Sequence, residues 1–343
     1  MKISILEPGA WGTVLGILLS RKFAELRSSH ALRFARANEV SFWYENKKLA
    51  LKLSKSRKNE RLPGIKIPER ILISSDLRKV IENANLTIVA SPSFNFRKTL
   101  LKIKNLKNLH SLLGIAKGIE KETLKLPSQI VEEILGKIPY AHLSGPGFAR
   151  EIIRGKPAKE VIASRNKFLL KKLKETFQIK PLKVFATTDL IGVQLAGALK
   201  NALAIGISLV EASIQSSEVK EIRPKLIKCG LNEMIKIGKA MGGKRETFLG
   251  PAGLGDLILT STNPLSRNFQ FGKNLLLDAQ KMRRDIRERK ITVEGFDNTY
   301  ALHELAKIYK LDLPMINEIY KVIYKKTSPE KTIKNLIELT KKI

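Results

Sequence analysis

Short apolar, β-branched runs alternate with longer segments of helical period from Lys2 to about Thr187, and after Asp189 the runs stop. That change of period constrains the fold most. Strands separated by helices specify a parallel sheet covered on its faces, whereas unbroken helical period specifies an all-α unit. The strand runs are Ile3–Leu6, Val40–Tyr44, Leu86–Ser91, Ser111–Ala116, Ala141–Leu143, Val161–Ser164 and Val184–Ala186. In the second half helices should break at Arg223–Pro224, Gly242–Gly243, Gly250–Gly255, Asn263–Pro264, Leu313–Pro314 and Ser328–Pro329, where glycine and proline punctuate the pattern. The expected organisation is an α/β domain over 1–187 and an all-helical domain over 188–343. A length of 343 residues with 43% hydrophobic content suits a core in each. No internal repeat or low-complexity linker separates the halves, so they should pack closely around a cleft, a favoured place for a ligand. The Arg-rich stretch Arg27–Asn38 reads as a surface insertion that lengthens the first helix or its exit loop.

The chain carries 63 Lys+Arg against 32 Asp+Glu, a net charge of +31. Such an excess predicts an anionic partner without choosing among nucleic acid, acidic lipid and phosphorylated metabolites. The basic residues are spread over Lys98–Lys107, Lys167–Lys183, Arg283–Lys290 and Lys321–Lys342, and aromatics are only 6%, which disfavours a nucleic-acid surface. A nucleic-acid or acidic-membrane binder is the competing reading from another class. The single Cys229 excludes a disulfide framework, and four scattered histidines offer no common zinc spacing, so no metal is expected. Met1–Leu6 reads as a strand rather than a signal peptide, and a cytoplasmic location is the expectation.

The run Ile3-Ser4-Ile5-Leu6-Glu7-Pro8-Gly9-Ala10-Trp11-Gly12-Thr13 is a strand, a turn and a helix start. Gly9 and Gly12 hold the second and third places of a G-x-G-x-x-G fingerprint, where glycine lets backbone approach a pyrophosphate and lets the helix pack on the strand. Glu7 stands in the first place. An ordinary strand-turn-helix is the plain alternative. Glu45, at the end of the second strand, sits where a carboxylate would bond the ribose of NAD and repel the extra phosphate of NADP. A solvated strand-end charge explains it as well.

The segment Asp189 to Val210 is long and apolar enough to span a bilayer. Lys200 and Asn201 at its middle argue for a buried helix instead. Burial lowers a lysine's pKa toward the range useful for proton transfer, which makes Lys200 an acid/base candidate against a snorkelling lysine. Three clusters point to an anionic substrate. Lys117 follows a strand, at the sheet edge where ligands bind. Asp256 and Thr260 share a helix face after the turn Gly250–Gly255. Ser266-Arg267-Asn268 opens a helix, a setting suited to phosphate. Each has a bland reading too: a surface lysine, a cap and a solvated loop.

Together these residues resemble the bacterial NAD(P)-dependent glycerol-3-phosphate dehydrogenases. The resemblance rests on Gly-Ala-Trp-Gly-Thr at 9–13, Pro92-Ser93, Lys117-Gly118-Ile119-Glu120, Ser144-Gly145-Pro146 with Phe148-Ala149, Gly192-Val193-Gln194, Leu199-Lys200-Asn201, Gly253-Leu254-Gly255-Asp256-Leu257, Ser266-Arg267-Asn268, and Val293-Glu294-Gly295 with Asn298-Thr299. It implies a Rossmann-type dinucleotide-binding domain, an all-α substrate domain, and reversible reduction of dihydroxyacetone phosphate to sn-glycerol 3-phosphate for phospholipid synthesis. By position it implies that Lys200 moves the proton and that Lys117, Asp256 and Thr260 orient the substrate. It assigns the substrate's phosphate to Arg267 with Ser266 and Asn268, and sets Gly145 beside the substrate. Gly9, Ala10, Trp11, Gly12, Glu45, Lys117, Ala149, Arg267 and Glu294 fall at cofactor positions. NAD is the expected cofactor, NADP the alternative, and a homo-oligomer is compatible with the family. A related two-domain reductase of another small oxo or hydroxy acid is the competing enzyme. Glu7, Gly147 in place of a hydroxyl residue, Glu45 and the insertion depart from the family pattern.

Overall fold

The computed structural model describes residues 1–28, 39–106, 109–288 and 290–342. Two compact units divide the chain. The first comprises Met1–Ala116, Pro127–Leu143 and Gly147–Leu190, and the second Lys117–Leu126, Ser144–Pro146 and Ile191–Ile343.

The first unit is built on eight strands: β1 (Lys2–Leu6), β2 (Glu39–Trp43), β3 (Leu72–Ser74), β4 (Leu86–Val89), β5 (Leu112–Gly114), β6 (Tyr140–Ser144), β7 (Ala158–Ala163) and β8 (Leu182–Thr187). Its helices are α1 (Ala10–Ser28), α2 (Lys47–Ser56), α3 (Leu77–Ile81), α4 (Ser93–Ile103), α5 (Pro127–Leu135), α6 (Ala149–Ile152) and α7 (Lys167–Phe177). The sheet order is β3-β2-β1-β4-β5-β6-β7-β8, and β1 pairs in parallel with both β2 and β4. Central strands are buried along nearly their whole length, as strands covered on both faces must be; β8, at the edge, alternates buried Leu182 and Val184 with exposed Lys183 and Phe185. Seven strands lie where the sequence predicts them. The eighth, β3, was missed because three residues at a sheet edge carry too short an apolar run to show a period. Asn46, Asp76 and Asn166 cap α2, α3 and α7 by accepting backbone N–H bonds. Of the Arg-rich stretch, residues 29–38 lie outside the described residues.

The second unit is helical: α8 (Leu190–Glu211), α9 (Ser216–Ala240), α10 (Arg245–Leu249), a π-helical turn over Pro251–Gly255, α11 (Asp256–Thr262), α12 (Arg267–Arg287), α13 (Glu294–Ile308), α14 (Pro314–Tyr324) and α15 (Pro329–Thr340). Among the described residues α8 is the one helix long and apolar enough to cross a membrane, and its apolar stretch is 94% buried within the protein. It is the core helix, with Leu199, Leu203, Ile205 and Ile207 wholly enclosed. The break expected at Arg223–Pro224 does not occur: Pro224 lies inside α9. Proline removes one helical N–H. The helix runs on because Leu226, Cys229, Glu233, Met234 and Ile237 bury its far side and Arg223 grips Glu211 at the end of α8 with two nitrogens.

Candidate active site

Four side chains singled out for chemistry meet within the second unit. Lys117 Nζ donates to Asp256 Oδ2 at 2.6 Å and to the Gly145 carbonyl at 2.7 Å. Lys200 Nζ donates to Thr260 Oγ1 at 2.8 Å and lies 3.2 Å from Asp256 Oδ1. Thr260 Oγ1 in turn donates to that same oxygen at 3.2 Å. Asp256 therefore holds one lysine on each carboxylate oxygen, at only 2% side-chain exposure. The geometry follows from local sequence: the π-helical turn delivers Asp256 as the first residue of α11, and Thr260 follows one turn later on the same face. On α8, a Cβ at Gly197 would come within 3.0 Å of Ser144 Oγ and 3.4 Å of Lys117 Cγ. Glycine there lets the Lys117 stem lie against the helix that carries Lys200.

Burial dominates the Lys200 ammonium and pulls its pKa down to about 8, with Lys117 adding repulsion and Asp256 resisting. Burial alone would raise Asp256, but the two lysines outweigh it and keep the carboxyl below its ordinary value. Two ammonium groups share the Asp256 carboxylate, and the Glu294 carboxylate also acts on Lys200.

Asparagines fix the loop that carries Lys117. Asn298 Nδ2 donates to the Lys117 carbonyl at 3.0 Å and the Ala198 carbonyl at 3.2 Å, while its Oδ1 accepts from Ile119 N at 3.0 Å. Asn201 Nδ2 donates to the same Lys117 carbonyl at 3.0 Å and to Glu294 Oε2 at 3.3 Å. Asn268 Nδ2 donates to Asn201 Oδ1 at 2.8 Å, and its Oδ1 accepts from Gly295 N at 3.0 Å. Sequence reasoning gave Asn201 and Asn298 no role of their own; the one signal was an asparagine inside an apolar helix, where it is a poor helix former. Ser144, also missed, is 1% exposed and its hydroxyl has no hydrogen-bond partner.

Ser266, Arg267 and Asn268 open α12 as expected, but they do not act alike. The Ser266 hydroxyl caps the helix by accepting from Phe269 N at 3.2 Å, and the Asn268 amide is engaged as above. Among the described residues Arg267 alone of the three keeps its donors free, exposed at the first helical position.

Of the dinucleotide candidates, Gly9, Ala10, Trp11, Gly12, Glu45 and Ala149 lie in the first unit, and Lys117, Arg267 and Glu294 in the second. The strand order reverses at β1, which has β2 on one side and β4 on the other, and open α/β sheets bind ligands at the carboxyl ends beside such a switch. Gly9 and Ala10 carry the chain from β1 into α1. Ala10, Trp11 and Ala149 are half-buried against the unit's core, and α6, which Ala149 opens, packs on α1. A Cβ at Gly12 would stand 2.8 Å from Ala90 Cβ and 3.1 Å from Pro8 Cβ, so α1 sits closer to the strand ends than any side chain permits. Its first turn carries no acidic residue, leaving the positive end of the helix dipole open to an anion. Arg61 Nη1 lies 3.3 Å from where a Cβ on Gly9 would be, a cation the sequence did not flag because a distant loop supplies it. These residues fit a pyrophosphate.

Glu7 has φ 52°, the left-handed conformation that glycine adopts most readily. Its N–H donates to the Trp43 carbonyl at 2.8 Å, and its Oε1 accepts from Glu45 N at 2.6 Å. Burial raises its pKa above the usual carboxylate range. The Glu45 carboxylate takes Lys102 Nζ on Oε1 at 2.9 Å and Lys98 Nζ on Oε2 at 3.0 Å, and these bonds lower its pKa. Gly147 has little room: a Cβ there would meet Ile152 Cδ1 at 2.6 Å.

Comparison with known proteins agrees over the whole chain. The family described as NAD-dependent glycerol-3-phosphate dehydrogenase matches with its N-terminal part over residues 2–169 and its C-terminal part over residues 189–334. A glycerol-3-phosphate dehydrogenase [NAD(P)+] of Janthinobacterium sp. (strain Marseille) is 35% identical over 342 residues, covering 98% of this chain and 97% of the relative. Its counterpart from Thermoanaerobacter sp. (strain X514) is 31% identical over 343 residues, covering 100% and 98%. The crystal structure of glycerol-3-phosphate dehydrogenase from Coxiella burnetii superimposes with a TM-score of 0.87 at 30% identity, covering 98% of each chain. With both halves matched in order and full-length relatives above 30% identity, the chain belongs to the NAD-dependent glycerol-3-phosphate dehydrogenase family.

Proposed function

We propose that this chain catalyses the reversible NAD(P)H-dependent reduction of dihydroxyacetone phosphate to sn-glycerol 3-phosphate, the backbone precursor of phospholipids, in the cytoplasm. The observation that carries the reading is the buried Lys117–Asp256–Lys200 network in a chain of this family. When bound, the nicotinamide supplies the hydride. The chain must furnish a proton and countercharges. Lys200 donates the proton to the substrate's C2 oxygen in reduction and removes it in oxidation; a pKa of about 8 lets both forms be populated near neutrality. The ammonium groups of the cluster oppose the negative charge that develops on that oxygen, where a preorganised charge is most effective. Thr260 and Asp256 hold Lys200 in place, and Lys117, tied to the Gly145 carbonyl, orients the substrate. Arg267, at the start of α12, takes the substrate phosphate, because a guanidinium fork beside free helical N–H groups suits phosphate oxygens. Ser266 and Asn268 support that helix start. Gly9, Ala10, Trp11, Gly12 and Ala149 form the cofactor's pyrophosphate side, and Lys117, Arg267 and Glu294 are assigned to its reactive end.

The test is direct. Folded, purified protein should oxidise NADH when given dihydroxyacetone phosphate, and no turnover would reject the reading. Arg267→Ala should raise KM for this substrate by about 10- to 100-fold, the loss of charged hydrogen bonds. A reductase for a non-phosphorylated acid would lose little.

A further inference from the structure

The residue that chooses between NAD and NADP in an open α/β sheet is ordinarily an acid at the carboxyl end of β2, which bonds the ribose hydroxyls and repels a 2′-phosphate. Here two carboxylates compete for that place. Glu45 has the expected sequence position, but its two oxygens are taken by Lys98 and Lys102, and the trio carries a net positive charge. Glu7 comes from the end of β1, one strand over. Its backbone adopts the left-handed turn that the first fingerprint place requires, and its side chain turns toward the end of β2 rather than toward the start of α1. There Oε1 is anchored on the Glu45 N–H at 2.6 Å, and the other oxygen has no hydrogen-bond partner among the described residues. Arg61 Nη1 lies beside Gly9, 3.3 Å from where a Cβ there would be.

We infer that Glu7, and not Glu45, is the cofactor-selecting residue: its free carboxylate oxygen accepts from the adenosine ribose hydroxyls and repels a 2′-phosphate. The inference rests on the dinucleotide reading above. A carboxylate delivered from β1 onto the end of β2, acted on by Lys98 but hydrogen-bonded to neither lysine, stands in for the one whose two oxygens Lys98 and Lys102 hold. It also accounts for a non-glycine residue at the tightest point of the turn. The strain of a left-handed glutamate is held by two hydrogen bonds to the end of β2, one through its backbone and one through its side chain.

Binding of cofactor fragments tests this without turnover. ADP-ribose and its 2′-phosphorylated form are titrated calorimetrically into the full chain and its variants. The wild type should prefer ADP-ribose by at least about tenfold, the scale of a like charge placed within a few ångströms at a part-exposed site. Glu7→Gln should lose most of that preference by gaining affinity for the phosphorylated ligand. The charge-balanced pair Glu45→Gln with Lys98→Gln should keep it within about threefold, as screened exposed charges allow. A preference unchanged in Glu7→Gln overturns the inference, as does one abolished in the charge-balanced pair. Glu7→Gly tightening both ligands equally also overturns it, by showing that the side chain merely obstructs the turn. Failure of every variant to bind either ligand overturns the dinucleotide reading itself.

Discussion

In the helical unit the groups proposed to meet the anionic substrate are side chains, each already bonded to another: Lys117 and Lys200 to Asp256, Lys200 to Thr260, and Asn201 and Asn298 to the Lys117 loop. In the sheet unit the groups proposed to meet the anionic cofactor are chiefly backbone N–H groups at the start of α1, made accessible by the absence of side chains at Gly9 and Gly12. The first arrangement concentrates charge and tunes its pKa. The second supplies a fixed partial charge that no titration alters. A side-chain network should fail when a group is removed, whereas a backbone site should fail only when bulk is added.

The largest effect should come from Lys200→Ala. Removing the proposed proton donor should lower kcat by about 10²- to 10⁴-fold. The fold should persist, because Asp256 keeps Lys117 as its partner. Circular dichroism checks the fold and steady-state kinetics the rate. A loss under about tenfold would remove Lys200 from the chemistry. Asp256→Asn comes next. It leaves two ammonium groups together in a buried place without their counterion, and breaking buried pairs in this way costs about 3–5 kcal/mol. Urea unfolding should report that loss. The same change should move the Lys200 pKa further below about 8, since Asp256 is what holds it up.

That pKa gives a third test, of about tenfold per pH unit. The reductive reaction needs the ammonium, so its kcat/KM should fall as pH rises through about 8, and the oxidative reaction should rise through the same point. Stability has its own sign. Burial lowers the Lys200 pKa to about 8 in the folded chain from the ordinary lysine value of 10.5, so between these limits the unfolded chain binds more protons. Its contribution therefore destabilises fully below about 8 and is relieved as pH rises toward 10.5. In Lys200→Ala both the mirrored profiles and this rise should vanish. The sheet-unit site has no such dependence built into its backbone donors.

The same contrast explains what the sequence revealed. The change of period at Asp189 gave the architecture because strands and helices write different spacings into the chain. Lys200 was legible because a charge in the middle of an apolar helix has few structural excuses. Asp256 and Thr260 were legible because four-residue spacing is a local property. Arg61, Ser144 and the clamp by Asn298 were not, since each reaches its place through tertiary contacts that no spacing encodes. Glu7 was visible as a departure, but its direction depends on where β2 ends beside β1, a matter of sheet order. Pro224 misled for the opposite reason: a local breaker was overruled by burial of the helix after it and by the Arg223–Glu211 contact before it.

The smallest expected effects come from adding one methyl to a glycine in each region, and they should differ in kind. Gly12→Ala sets a Cβ 2.8 Å from Ala90 Cβ, an atom fixed to its backbone that cannot rotate away. Overpacking of this sort costs about 1–3 kcal/mol, and the displaced helix start should weaken ADP-ribose binding as well. Gly197→Ala sets a Cβ 3.0 Å from Ser144 Oγ, a hydroxyl that can swing, and in ordinary contact with Lys117 Cγ at 3.4 Å and Cβ at 3.5 Å. Replacing glycine in a helix interior gains about 1 kcal/mol of propensity, which offsets the contact. Stability should therefore hardly change, while the methyl added against the Lys117 stem lowers kcat/KM for dihydroxyacetone phosphate by a few fold and leaves ADP-ribose binding intact. If both variants instead lose stability and spare activity, the two regions are set by packing alone and the distinction between a backbone site and a side-chain site fails.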